Sequence, residues 1–108
     1  MSERILQINF RYNVAKDDYV GAVSALANDF AAVEGLCWKV WLLNEDKSEA
    51  GGIMLFEDQA SLDGFLNSPL AAKVTGHPAL SGFSIRQFGV MKKETGITRG
   101  PLTATAKA

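Results

Sequence analysis

The segment from Leu36 to Leu43, Leu-Cys-Trp-Lys-Val-Trp-Leu-Leu, constrains the fold more than any other part of the chain. Successive residues of a strand point to opposite faces. Trp38, Val40 and Leu42 therefore share one face, and Cys37, Lys39, Trp41 and Leu43 share the other. A strand that is apolar on both faces has to be covered on both. Ile53 to Phe56 repeat the condition, with Met54 and Phe56 opposed to Ile53 and Leu55. A polar connection, Asn44 to Ala50, separates the two runs, and Gly51-Gly52 opens the second. A hairpin with a longer turn is predicted.

The remaining patterns fix what surrounds this hairpin. Leu6, Ile8, Phe10 and Tyr12 alternate with Gln7, Asn9 and Arg11, which predicts a first strand. Asp17 or Asp18 can cap a helix carrying Tyr19, Val23, Leu26, Ala27 and Phe30 at helical spacing, and Gly35 suits its stop. Asp58 can cap a second helix with Leu62, Phe65 and Leu66 as its stripe. Pro69 interrupts it, and Leu70 to Thr75 read as a further short helical turn. Phe83 to Met91 read as a fourth strand, and a change of apolar phase predicts a bulge near Gln87. The order strand, helix, strand, strand, helix, strand is the split βαβ arrangement, an α+β ferredoxin-like fold. Right-handed crossovers place both helices on one face of a four-stranded antiparallel sheet. The expected organisation is one domain over residues 1–108, with a core over about 5–91 and a C-terminal arm over 92–108, frayed at its end.

Two helices cover one sheet face only, so the other needs a second cover. A twofold homodimer packed sheet to sheet is the expected solution. The alternative is cover by the chain's own C-terminal arm. Eleven Lys and Arg against twelve Asp and Glu give a net charge of −1, which argues against a nucleic-acid partner. No apolar run is long enough to span a membrane, and the start of the chain lacks a signal peptide's apolar stretch. With a single cysteine, Cys37, a reducing cytoplasm is the expected compartment.

Gly35-Leu36-Cys37-Trp38-Lys39-Val40-Trp41, Glu49-Ala50-Gly51-Gly52-Ile53-Met54-Leu55-Phe56 and the closing Ile97-Thr98-Arg99-Gly100-Pro101-Leu102 carry a resemblance. The chain resembles the YdhR-type monooxygenase family of the dimeric α/β-barrel superfamily, over residues from about 5 to 102. The resemblance implies a dimer whose sheets form a barrel, with a pocket in each subunit. It also implies oxygenation without metal or flavin, since relatives oxidise polycyclic phenols and anthrones to quinones. Others degrade haem or isomerise lactones.

The residues themselves exclude several chemistries. The chain has no Gly-rich phosphate loop, no CxxC and no HExxH. One His and one Cys make a nitrogen and sulfur metal site an unpromising reading. No cofactor is expected. Cofactor-free oxygenation needs a dry pocket, a base and a donor or cation for the enolate of an activated aromatic substrate. Candidate catalytic residues are Lys39, Glu49 and His77, and candidate substrate contacts are Asn9, Trp38, Trp41, Met54, Phe56, Arg86 and Phe88. Each has a structural alternative. The tryptophans suit a core or an interface, and Lys39 suits a salt bridge to Glu49 within a dimer. Glu49 and His77 also read as loop residues in water, and Asn9 and Arg86 as surface residues. A non-catalytic binder of a small aromatic molecule uses the same pocket. Haem degradation fits less well, because Phe56 stands close to where relatives place a Trp and His77 follows the end of the helical stripe.

Overall fold

The computed structural model describes residues 3–102; the expected fraying of 103–108 lies outside the described residues. Its elements in chain order are β1 (Arg4–Tyr12), α1 (Lys16–Ser24), α2 (Ala27–Ala31), β2 (Leu36–Asn44), a 3-10 turn (Glu45–Lys47), β3 (Glu49–Phe56), α3 (Gln59–Leu66), α4 (Pro69–Thr75), β4 (Leu80–Gly89) and α5 (Lys92–Ile97). The four strands form one antiparallel sheet in the order β2-β3-β1-β4. This is the ferredoxin-like α+β fold expected from the order of elements.

Register assigns every strand residue to a face. Lys39, Met54, Leu6 and Gln87 form one row across the sheet, and Trp41, Gly52, Ile8 and Ile85 the next. This face carries the core: Leu6, Met54 and Phe56 pack with Phe30 of α2, Leu62 and Phe65 of α3 and Ala71 of α4. A second cluster joins Phe10, Tyr12 and Ala50 to Tyr19 of α1. The opposite face carries the rows Trp38, Leu55, Ile5, Phe88 and Val40, Ile53, Gln7, Arg86.

Three expectations need correction. The single helix expected after residue 16 is two short ones. The Leu26 amide donates to the Val23 carbonyl, an i→i+3 bond that tightens the chain and closes α1. Its N-cap is Ala15, without a capping side chain; Asp17 and Asp18 fall in the first turn instead. The bulge expected near Gln87 is absent there. The β1/β4 register shifts between Asn9 and Arg11, facing Gly82 at φ 64, and Phe88 simply occupies the other face.

The second irregularity lies between Leu36 and Trp38. The extra residue turns Leu36 to the helix side, where it is buried with Phe56, while Lys39 and Trp41 keep to that same side. On the open face, the Trp38 indole donates to the Pro101 carbonyl at 2.7 Å, so the C-terminal segment meets the outer row at its β2 end. Leu55 in that row is fully buried. The apolar patch left for a partner is therefore smaller than the sequence suggests, though Val40 stays 50% exposed and Phe88 39%. No helix among the described residues is long and apolar enough to cross a membrane.

Candidate functional site

Between the helices and the sheet lies a cavity of about 440 Å³. Its floor is the middle of the sheet, with Ile8, Phe10, Met54, Lys39 and Trp41. Tyr19 and Val23 of α1, Leu26 just before α2 and Phe30 of α2 roof it, with Phe65, Ala71 and Val74 from α3 and α4. The walls are mostly carbon. Asp18, Asn67, Lys73, Thr75 and His77 line it while staying exposed, so the polar groups gather at the rim.

Lys39 is the exception in this apolar interior. Its ammonium nitrogen lies 3.4 Å from the centroid of the Phe30 ring and 3.6 Å from that of Trp41. The two rings meet edge to face with centroids 5.2 Å apart. None of the ion pairs among the described residues involves Lys39. Burial pushes its amine down to about 7, because a cation held away from water loses its hydration. The aromatic faces act the other way, but a cation–π contact is worth about 0.5–2 kcal/mol, less than about two pH units. Desolvation wins, and the amine stays well below the ordinary lysine range.

The lysine reaches this position because residue 52 is glycine. A Cβ on Gly52 would lie 2.7 Å from Lys39 Cε and 3.2 Å from the Val40 carbonyl. The side chain thus lies flat across β3 in the space a larger residue would take. At the roof, the Tyr19 phenol is pushed up to about 12, first by burial and then by Tyr12, whose ring stacks on it at 4.8 Å. At the rim, His77 Nδ1 accepts a bond from the Ala79 amide at 3.1 Å, which leaves Nε2 to carry the proton of the neutral ring.

The structure brings four of the ten candidates to the cavity: Lys39, Trp41, Met54 and His77. It does not bring the other six there. Trp38, Arg86 and Phe88 lie on the opposite face, and Asn9 beside them accepts from Gln7 at 2.9 Å. Phe56 faces the helices but is fully buried in the core. Glu49 pairs with Asn44 and Arg11 at the start of β3, on the face away from the cavity. It stands five residues from the partner of Lys39, roughly 16 Å along the strand, so no salt bridge joins the two within one chain. Sequence reasoning missed Phe30 and Tyr19 as site residues. Their helical spacing announces a buried stripe, and nothing in that spacing separates a cavity wall from core. Among the described residues, no three His, Cys, Asp or Glu side chains cluster so as to hold a metal ion.

Solved structures share this architecture. A protein of unknown function from Nitrosomonas europaea superposes with a TM-score of 0.71 at 18% identity, covering 84% of this chain and 91% of that one. SnoaB, a cofactor-independent oxygenase from Streptomyces nogalater, gives 0.69 at 20% identity, covering 83% and 94%. The heme-degrader MhuD from Mycobacterium tuberculosis gives 0.63 at 18% identity, covering 81% and 95%. At these identities the likeness is one of fold. No curated protein matches the chain significantly. Residues 5–101 match the model of the family described as "Putative mono-oxygenase ydhR", and the chain belongs to that family.

Proposed function

We propose that the protein is a cofactor-independent monooxygenase that oxidises a small aromatic, enolisable molecule in the cavity above Lys39. One observation carries this reading: a lone amine, depressed to about 7, set in an otherwise apolar cavity. A base works best when its pKa lies near the operating pH. The neutral Lys39 amine takes a proton from the activated carbon of the substrate. The resulting ammonium stays against Phe30 and Trp41 and pairs with the enolate oxygen. The enolate gives one electron to dioxygen, and the radical pair recombines to a carbon–oxygen bond. Protonation gives a hydroperoxide, and loss of water leaves a carbonyl. A CH₂ group and O₂ thus become C=O and H₂O, one oxygen atom going to each. His77 at the rim has the lesser part of exchanging protons with solvent.

Membership of a monooxygenase family and the shared fold of SnoaB support this reading. The same reading takes the open sheet face, where Val40 and Phe88 stay exposed, as the seat of a second copy.

The test is oxygen uptake with a panel of anthrones and polycyclic phenols under air. Uptake is expected, with kcat/KM rising through about pH 7 as the amine loses its proton. Lys39→Met is expected to lower turnover at least about 100-fold and His77→Ala less than about tenfold. Tight binding of an aromatic ligand without uptake above background would make the protein a binder. The reverse ranking of the two variants would reject Lys39 as the base.

A further inference from the structure

A half-buried amine in an apolar cavity suits a second kind of chemistry, independent of oxygen. A lysine nitrogen is nucleophilic only when unprotonated, and a hydrophobic pocket keeps it so. Surface lysines are protonated almost completely near neutral pH. The side chain of Lys39 is also held in place. Gly52 gives it room below, and the rings of Phe30 and Trp41 bracket the nitrogen within 3.6 Å. Among the described residues no carboxylate pairs with it. The cavity at the nitrogen is about 440 Å³, a size that accepts a small organic molecule.

We propose that Lys39 is a covalent capture site for apolar ketones and aldehydes, forming an imine at the nitrogen between Phe30 and Trp41. The Nζ lone pair attacks the carbonyl carbon and the C=O π bond opens to a carbinolamine. The carbonyl oxygen then leaves as water with the two protons of the amine, and a neutral C=N bond remains. No oxidant or reductant takes part. The dry cavity favours this outcome, because neither the neutral amine nor the imine carries a charge that needs hydration, and water is released. The aromatic brackets select apolar carbonyl compounds over sugars and keto acids, whose polar groups would find no partners there.

The test uses the intact protein near neutral pH with acetone or 2-acetylnaphthalene and cyanoborohydride, which converts the imine to a stable secondary amine. Mass analysis of the digested chain locates the adduct among the seven lysines. Lys39 is expected to react at least about tenfold faster than the mean of the others, reflecting its larger neutral fraction. In concentrated urea that preference is expected to vanish, a control that needs no variant. Lys39→Arg, which keeps the charge and most of the bulk, is expected to abolish the selective adduct. Adducts spread evenly over surface lysines, or no adduct at Lys39 with either probe, would overturn the proposal. Neither result bears on oxygen uptake, so imine capture and oxygenation stand or fall separately.

Discussion

Lys39 and Gly52 act as a pair, one residue providing the amine and the other the space for it. Because the folded chain holds Lys39 at about 7 against an ordinary value near 10.5, folding releases its proton between those limits. The unfolded chain binds more protons there, so stability rises with pH across that window. Tyr19 acts oppositely and higher, since its folded pKa is raised from 10 to about 12. Its contribution is complete below pH 10 and fades as pH climbs toward 12. Urea unfolding should therefore show wild type gaining on Lys39→Met between about pH 7 and pH 9, with the variant more stable at pH 7 by on the order of 2 kcal/mol. Parallel curves for the two proteins would contradict the depressed amine. Gly52→Ala places its methyl against Lys39 Cε. The flexible lysine is the part that gives way, so turnover should fall at least tenfold while stability drops by only about 1 kcal/mol. Retained turnover in this variant would mean that the position of Lys39 does not matter. The sequence shows a charge between two tryptophans and two glycines on the next strand. It does not show that only one of those tryptophans, together with Phe30 of a preceding helix, meets the amine.

Capping decides where the elements begin. Asp58 starts α3 by accepting from the Ser61 amide at 2.8 Å, and Ser68 starts α4 by accepting from Ala71 at 3.2 Å, with Pro69 in the first turn. Both starts follow from local chemistry, though only Asp58 is expected as a cap from the pattern. The interruption at Pro69 is in effect a new helix, because proline is favoured in a first turn and excluded from an interior. At α1 the local cue misleads. Two aspartates stand within reach, yet Ala15 takes the N-cap with φ −61 and ψ 148, and the aspartates face the first-turn amides through the helix dipole alone. Ala15→Ser is expected to add about 0.5–1 kcal/mol, seen as a higher urea midpoint with an unchanged slope. No gain would mean that the first-turn amides are already satisfied. In β2, the bulge after Leu36 is invisible to a strict period of two, and it returns Leu36 to the core without disturbing Lys39 and Trp41.

For the whole molecule, the proposed assembly turns on the open face. Trp38 is tied to the C-terminal segment and Leu55 beside it is buried, while Val40 on the edge strand β2 stays half exposed. Sedimentation equilibrium is expected to give twice the chain mass of 11.7 kDa, and Val40→Glu to shift it toward one copy without loss of secondary structure. A wild-type monomer at micromolar concentration would assign the cover of this face to the C-terminal segment alone. The sequence by itself determined the order of elements, the antiparallel sheet and the two-faced apolar character of β2 and β3. Those rest on period, capping and turn chemistry, which act over a few residues. Only the tertiary structure decided which side of β2 meets the helices, and so placed Lys39 and Trp41 at the cavity and Trp38 outside it. Alternation divides a strand into two sets but does not name the buried one. That choice is made by the helices packed across the sheet, through contacts between residues far apart in the chain.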